Sequence, residues 1–230
     1  MAAASPRSGA ERRERLARAR LMLIFTPELC PAGSDPLDVL ARALPFLDVI
    51  QVRVKDPELG TSPARGSCDW TRRVLELVAR ARGDALVLVN DRVDVAAALL
   101  SEGVDGVHLG ADDAPSELAR ALLGPDVLIG LSTHSGAELA RAEELALDYL
   151  GFGPIHATAT KGYARGLGSE AAWVATRACS RPLFPIVGID ATNASELAEV
   201  GRAAVGRAIL SAGDPARTAR EIAALLANDP

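Results

Sequence analysis

The chain alternates short apolar runs, rich in β-branched residues, with segments in which apolar residues recur at helical spacing. Eight such runs follow one another from Leu21 onward, beginning with LMLIFT at residues 21–26, and each precedes a helical segment. Strands that alternate with helices are typical of βαβ units with parallel pairing. Eight units in 230 residues predict a single (β/α)₈ barrel over residues 21–228. For residues 1–20 we expect a tail or a short helix.

Turn-forming residues divide the predicted elements. Asp35 is the expected N-cap of the first barrel helix, with Pro36 in its first turn. The longest predicted loop is DPELGTSPARGSCD at residues 56–69, and long loops in compact domains are often functional lids. The other strands are expected over residues 48–54, 85–90, 104–110, 126–132, 148–154, 183–189 and 203–209. The other helices are expected over residues 70–82, 93–102, 114–123, 135–145, 169–179, 193–200 and 214–226.

An open, doubly wound sheet is the alternative for a chain of alternating strands and helices. Such a sheet typically has a glycine-rich phosphate-binding turn directly after its first strand. The segment FTPELCPAGSDP at residues 25–36 does not supply that turn. The barrel is therefore the favoured fold class.

The second predicted strand alternates strictly between apolar and polar residues, as VIQVRVKD over residues 49–56. In a barrel its apolar side chains would face the helices, and its polar side chains would face inward. The inward-facing set would be Gln51, Arg53 and Lys55. Because buried unpaired cations are costly, we expect an anionic ligand at the mouth, where the strands end. An internal salt-bridge network is the alternative.

Polar residues also follow the other strands and would gather at the same mouth. They include Asn90, Asp91, His108, Asp112, Asp113, Ser132, His134, Thr158, Thr160 and Lys161. The cations Arg53, Lys55 and Lys161 together suit a phosphate chain. Asp91 and Asp113 suit Mg²⁺, which typically takes one or two carboxylates plus substrate oxygens. Helix N-capping is the alternative role for both aspartates.

A second phosphate site is indicated by the threonines of ATATK and by the glycines that follow strands seven and eight. Loops at these places bind phosphate in many barrels, although tight turns are an alternative role for the glycines. No nucleophile–base pair stands out, since Ser132 and His134 alone are weak evidence. The histidines have no zinc spacing, and His108, inside an apolar run, is expected to be a satisfied core residue or a support for the site.

Composition disfavours several classes of function. Aromatic residues make up 3% of the chain, so base-stacking platforms for single-stranded nucleic acid are not expected. The net charge of −5 and the pI near 5.3 disfavour a general nucleic-acid or anionic-membrane surface. Three widely spaced cysteines indicate reduced thiols in a cytoplasmic protein. No apolar run suits a secretory signal or a membrane span.

In their order along the chain, the strand-end segments resemble those of the thiamine-phosphate synthase family. The matching segments are QVRVK, VNDRVD, DGVHLGADD, GLSTHS, GFGPI with ATATK, and PIVGI, within residues 21–224. The resemblance implies a (β/α)₈ barrel that uses Mg²⁺ and acts on two small molecules. These are 4-amino-5-hydroxymethyl-2-methylpyrimidine diphosphate and a thiazole phosphate, plain or carboxylated. The products would be thiamine phosphate and pyrophosphate.

The resemblance also implies residue roles. The catalytic set would be Arg53, Lys55, Ser132 and Lys161. The substrate-binding set would be Gln51, Asn90, Thr158, Thr160 and Gly188, to which we add Arg207 on its position alone, since it departs from the family's pattern. The Mg²⁺ ligands would be Asp91 and Asp113. In this chemistry the pyrimidine ionises to a stabilised cation, so no protein nucleophile is needed, and the loop after Lys55 would close to exclude water.

The chain departs from the family's pattern in the thiazole half. Asp190 and Ala191 stand where a glycine pair is usual, and Arg207 stands where a serine is usual. An aspartate beside a phosphate is unfavourable unless it is paired, so we expect Arg207 to offset Asp190 or to bind the phosphate itself. His156 and Ala157 replace an aromatic residue and a proline that are common there.

Two other functions remain open at the level of sequence. A thiazole tautomerase resembles this family closely, but it would not need the residues implied for the diphosphate. A barrel that binds thiamine phosphates without turnover would tolerate the altered loop after strand seven. The sequence leaves open the oligomeric state, with which a homo-oligomer is compatible, and the position of the lid.

Overall fold

The computed structural model describes residues 6–54, 63–81, 83–157 and 166–227. Its strands are β1 (Leu21–Phe25), β2 (Val49–Val52), β3 (Leu86–Asn90), β4 (Gly106–Leu109), β5 (Leu128–Thr133), β6 (Tyr149–Phe152), β7 (Leu183–Pro185) and β8 (Ala203–Val205). Its α-helices are α1 (Gly9–Arg18), α2 (Pro36–Ala43), α3 (Pro63–Arg80), α4 (Val93–Leu99), α5 (Ser116–Leu123), α6 (Gly136–Ala142), α7 (Ser169–Ala178), α8 (Arg207–Leu210) and α9 (Pro215–Ala227).

The eight strands form one parallel sheet in the order β7-β6-β5-β4-β3-β2-β1-β8. Strand β1 pairs with both β2 and β8, so the first and last strands lie side by side. Between β7 and β8 a parallel bridge joins Ile186 to Ala204 and brings the ring near closure. This order is that of a (β/α)₈ barrel, and it differs from a doubly wound sheet, in which the order reverses at a switch point. The predicted fold class is confirmed.

Alternation along the strands separates two apolar layers. One cluster fills the inside of the barrel and includes Met22, Val49, Leu88, Leu128, Tyr149 and Phe184. The intervening positions pack against the helices and include Leu23, Ile50, Val87, Ile129 and Leu150. Both faces of the sheet are thus covered, as is usual for all-parallel sheets.

An aspartate clamp repeats at the N-terminal ends of the strands. Asp48, just before β2, donates its backbone N–H to the Leu21 carbonyl oxygen at 3.0 Å and accepts the Leu21 N–H on Oδ2 at 2.9 Å. The same pair of bonds joins Asp105 to Val87 and Asp148 to Ile129. Each clamp ties an even-numbered strand to the odd-numbered strand before it.

Helix α1 packs across this same end of the barrel. Ser8 and Glu11 form a capping box at its start, which satisfies backbone donors of the first turn. The Arg12 side chain is buried and donates to Asp105 Oδ1 at 3.2 Å, and Leu16 packs on the inner cluster. The mouth at the opposite end is therefore the open one.

Asp35 caps helix α2 as predicted, since its side chain accepts the Leu37 N–H. Helix α3, in contrast, begins at Pro63, so the loop predicted over residues 56–69 is wrong for residues 63–69. Proline suits the first turn of a helix, and the small residues continue it, with the Thr71 hydroxyl donating to the Ser67 carbonyl oxygen at 2.7 Å. The remainder of the predicted lid lies outside the described residues.

The chain after β7 also differs from the prediction. A short 3₁₀ turn, Ala194–Leu197, replaces the helix expected over residues 193–200. The strand expected over residues 203–209 ends at Val205, because Gly206 turns the chain into α8. None of the helices in the described ranges is long and apolar enough to cross a membrane.

Candidate active site

The polar residues predicted for the mouth continue the inward-facing alternation of their strands. Gln51 lies two positions after the inner residue Val49, and Asn90 lies two after Leu88. Corresponding positions on β5 and just beyond β7 are those of Ser132 and Gly188. Since parallel strands all end on one side of the barrel, these residues lie at the same open end.

Gln51 is the clearest sign of a ligand site. The residue is 3% exposed, and its Nε2 has no hydrogen-bond partner within the described part of the chain. A buried amide left without a partner costs free energy, so such a group usually serves a ligand or an ordered water.

Arg53 follows Gln51 on the same face and is half-buried. Its backbone N–H donates to the Phe25 carbonyl oxygen at 2.8 Å, which fixes the chain just beyond β2. Its guanidinium forms no ion pair with another described residue, so the alternative of an internal salt-bridge network has no support at Arg53. The cation remains available to an anion at the mouth.

The two predicted metal ligands are held by the end of strand β4. The Asp91 N–H donates to the His108 carbonyl oxygen at 2.8 Å, and the backbone of Asp91 has a left-handed φ of 63°. Asp113 Oδ2 accepts the Gly110 N–H at 2.7 Å. Because residues 108 and 110 are nearly adjacent, both aspartates are tethered to one short segment.

The alternative role of these aspartates, helix capping, is not what the structure shows. The N-cap of α4 is Arg92 and that of α5 is Pro115, and neither helix has a side-chain cap. Among the described residues, no group of three or more His, Cys, Asp or Glu side chains is placed to hold a metal ion. Two carboxylates without a third protein ligand still suit Mg²⁺, which binds through one or two carboxylates with water and substrate phosphate.

Three side chains inside the barrel form a hydrogen-bonded chain below the mouth. His108 Nδ1 lies 2.9 Å from the Tyr149 hydroxyl, and His108 Nε2 lies 2.9 Å from Ser132 Oγ. His108 is thus a satisfied interior residue that also contacts a predicted site residue. Tyr149 was missed in the sequence, where it reads as part of an apolar run, although its inward register on β6 could have indicated it.

The loop after β7 is tightly built. Val187 and Gly188 have left-handed φ angles of 83° and 74°, a conformation that is unusual for a β-branched residue. The His156 N–H donates to the Val187 carbonyl oxygen at 3.1 Å. A Cβ on Gly188 would lie 2.7 Å from the His156 Cβ, so only glycine fits there without movement.

The departures Asp190 and Arg207 flank this loop. Asp190 Oδ1 accepts from both the N–H and the hydroxyl of Thr192, at 2.8 and 2.6 Å, so its charge has two donors within its own turn. Arg207 is exposed and begins helix α8. The predicted site residues Lys55, Thr158, Thr160 and Lys161 lie outside the described residues.

Comparison with known proteins assigns the family. The model of a family described as thiamine monophosphate synthase matches residues 21–210. The chain belongs to this family. A solved structure of thiamine phosphate pyrophosphorylase from Pyrococcus furiosus is similar, with 30% identity and a TM-score of 0.74 over 93% of this chain and 96% of that one.

Curated relatives agree with this assignment. A thiamine-phosphate synthase of Gloeobacter violaceus is 41% identical over 93% of this chain and 59% of its own length. Another, of Anaeromyxobacter dehalogenans, is 43% identical over 84% of this chain and 83% of its own length. The chain thus spans less than two thirds of the length of the first relative and most of the second.

Proposed function

We propose that this chain is a Mg²⁺-dependent transferase that couples the pyrimidine diphosphate to the thiazole phosphate, giving thiamine phosphate and pyrophosphate. Family membership supports this reaction. The observation that carries it is the combination at the mouth of a buried, unpartnered Gln51 amide with two carboxylates that do not cap helices. The pyrimidine diphosphate requires an amide for its polar ring, a cation for its phosphates and carboxylates for the metal.

The pyrimidine half would occupy the ends of strands β2 to β5. Gln51 would contact the pyrimidine ring, because it is the buried amide that lacks a partner. Arg53 and Asn90 would bind the diphosphate, together with Lys55 and Lys161. Asp91 and Asp113 would hold Mg²⁺, which when bound would supply positive charge to stabilise the departing pyrophosphate.

The thiazole half would occupy the ends of β6 to β8. Gly188 would offer its backbone N–H to the thiazole phosphate, since a glycine tolerates the left-handed conformation of this loop and has no side chain to stand between the backbone and a ligand. Thr158, Thr160 and Arg207 would complete this pocket. The pairing of Asp190 with Thr192 supports this assignment, because it reduces the repulsion that the carboxylate would exert on a phosphate.

The bond changes need no protein nucleophile. The bond between the pyrimidine methylene carbon and the diphosphate oxygen breaks, and its electron pair leaves with pyrophosphate. The lone pair of the thiazole nitrogen then forms the new carbon–nitrogen bond. The residues of the mouth position the two substrates and stabilise the leaving group, which together can supply much of the rate.

The experiment is to incubate the full chain with Mg²⁺ and both substrates, measure pyrophosphate release, and identify thiamine phosphate by mass. We expect product only when both substrates and the metal are present. An Asp91→Asn preparation from the same host reports any activity contributed by contaminating enzymes.

Two outcomes would contradict the proposal. Isomerisation of the thiazole without coupling would identify a tautomerase. Binding of the thiazole phosphate by calorimetry, without any product from either reaction, would identify a barrel that binds thiamine precursors and performs no transfer.

A further inference from the structure

The hydrogen-bonded chain Tyr149–His108–Ser132 runs inside the barrel from its apolar interior toward the mouth. Tyr149 is fully buried and packs edge-on against Phe184, with ring centroids 5.9 Å apart. His108 is 8% exposed, and Ser132, above it, is half-buried. A polar chain of this kind is costly to bury unless each member is satisfied, so its geometry must be strictly maintained.

Two glycines create the space that the Tyr149 and His108 rings occupy. A Cβ on Gly130 would lie 2.1 Å from the Tyr149 Cζ, so the phenol ring lies directly over that glycine. A Cβ on Gly151 would lie 3.3 Å from the His108 Cε1, which is tighter than an ordinary contact. Glycines on β5 and β6 therefore leave space inside the barrel for the Tyr149 and His108 rings.

The hydrogen bonds that join Tyr149, His108 and Ser132 have one consistent donor-to-acceptor direction. The phenol O–H has His108 Nδ1 as its hydrogen-bond partner among the described residues, and burial raises the pKa of Tyr149 well above its usual value. The phenol therefore stays protonated and donates to Nδ1. A neutral imidazole that accepts at Nδ1 carries its hydrogen on Nε2 and donates it to Ser132 Oγ. Ser132 then keeps its own hydrogen for another acceptor.

We propose that Tyr149 and His108 are positioning residues that hold the Ser132 hydroxyl as a hydrogen-bond donor toward the departing diphosphate. This inference rests on the proposed transferase function. If the three hydrogen bonds ran in the opposite direction, the Ser132 hydroxyl would donate to His108. It would then present only lone pairs to the anionic leaving group, and these would repel the leaving group. The Tyr149 hydroxyl, which does not reach Ser132 directly, thus selects the useful orientation.

The kinetic test is a double-mutant cycle between Tyr149→Phe and Ser132→Ala. Alone, Tyr149→Phe should lower kcat about tenfold or more and leave KM for both substrates nearly unchanged. In the Ser132→Ala background, the same change should alter kcat less than about twofold, because the hydroxyl that it orients is already gone. Full additivity of the two effects would overturn the proposal.

The matched control is Thr133→Val. The Thr133 hydroxyl is also buried and donates a hydrogen bond to the Gly151 carbonyl oxygen at 2.8 Å, but it takes no part in the Tyr149–His108–Ser132 hydrogen bonds. We expect it to affect the free energy of unfolding about as much as Tyr149→Phe while kcat stays unchanged. If Thr133→Val lowers kcat equally, the effect of Tyr149→Phe is a general loss of packing, and the positioning role is wrong.

A measurement without turnover separates this inference from the proposed reaction. Nitrogen-15 NMR of the histidine rings should show His108 protonated at Nε2 and bare at Nδ1 in the wild-type chain. A His108→Asn variant identifies the signal, and Tyr149→Phe should shift the population toward the other tautomer. A wild-type His108 protonated at Nδ1 would overturn the proposal even if the chain makes thiamine phosphate. The expected tautomer in an inactive chain would instead count against the reaction alone.

Discussion

The backbone N–H of Asp91 donates to the carbonyl oxygen of His108 over 2.8 Å, at the point where β3 passes into helix α4. This bond ties the first proposed metal ligand to the strand from which the second, Asp113, is also held. The left-handed backbone of Asp91 makes this possible, and aspartate and asparagine tolerate that conformation better than most residues. The two aspartates are thus held by hydrogen bonds to backbone groups of one segment, through the N–H of Asp91 and the side-chain Oδ2 of Asp113.

Asp113→Asn tests the metal assignment with little change of shape. We expect the Mg²⁺ concentration for half-maximal activity to rise about tenfold or more, because a neutral amide is a weaker ligand for a hard cation. The measurement is initial rate against Mg²⁺ concentration. Asp112→Asn is the matched control, since it removes the same charge from the exposed neighbour. An equal shift in both variants would mean that net charge near the mouth, rather than ligation, is responsible.

Gln51→Met should separate stability from function. Replacing a buried amide whose Nε2 lacks a partner by an apolar side chain of similar length removes an unsatisfied group, so the free energy of unfolding should rise by about 1 kcal/mol. KM for the pyrimidine diphosphate should rise because the ring contact is lost. Denaturant unfolding and steady-state kinetics measure the two effects. A less stable variant with unchanged KM would show that Gln51 has a structural partner instead.

Gly188→Ala should damage the loop after β7 by two independent costs. The left-handed backbone costs an alanine about 1–2 kcal/mol, and the clash with His156 adds roughly 1–3 kcal/mol. Gly33→Ala isolates the first cost, because Gly33 has a φ of 82° with no atom near its Cβ position. We expect KM for the thiazole phosphate to rise only in Gly188→Ala. Equal losses of stability in both variants would show that the loop relaxes around the new methyl group.

Arg12→Ala should destabilise the closed end of the barrel by about 1–3 kcal/mol near neutral pH, because it leaves Arg7 as the cation on the buried Asp105 carboxylate and removes a donor from the Val104 and Asp126 carbonyl oxygens. Burial already raises the pKa of Asp105, against the opposing effect of Arg7 and Arg12. Loss of Arg12 raises the folded-state pKa further, so the folded variant binds a proton more readily than the unfolded chain does. The penalty should therefore shrink as the pH falls from 7 to 5.

Urea unfolding of wild type and variant at both pH values measures this change. Arg15→Ala provides the control, since its ion pair with Asp84 is exposed and should contribute little at either pH. A penalty for Arg12→Ala that is the same at both pH values would mean that the cost is set by packing and by the lost bonds to the Val104 and Asp126 carbonyl oxygens, and not by the charge of Asp105.

The sequence predicted that Gln51 faces the inside of the barrel because strand periodicity is local. The alternation that makes Val49 an inner residue also makes Gln51 one, and no tertiary information is needed. Whether Asp91 caps a helix or serves the mouth could not be decided in the same way. Both roles place an aspartate just before a helix, and the structure argues against capping because the N-cap of α4 is Arg92. The role at the mouth stays a prediction.

Other features were hidden because they depend on neighbours in space. Tyr149 reads as an ordinary apolar strand residue; its inward register could have been inferred, but its place over Gly130 on the neighbouring strand, on which the proposed positioning role depends, could not. The start of α3 was placed too late because glycine and serine usually indicate a loop, whereas here Ser67 is buried and accepts a bond from Thr71 within the helix. Packing in the barrel thus outweighs the local preference of glycine and serine for a loop at the start of α3.

The aspartate clamps affect where the barrel opens locally. The clamps join three strand pairs at the N-terminal ends of their strands. The residue before β8 is Arg202 instead of an aspartate, and the bridge from Ile186 to Ala204 joins β7 to β8. Every other neighbouring pair of strands is joined by a ladder of three or more residue pairs, so the contact between β7 and β8 is the weakest in the ring. Amide hydrogens along β7 and β8 should therefore exchange with solvent before those of β3 and β4. The proposed thiazole-phosphate loop lies at the contact between β7 and β8, and occupancy of the pocket would then close the ring.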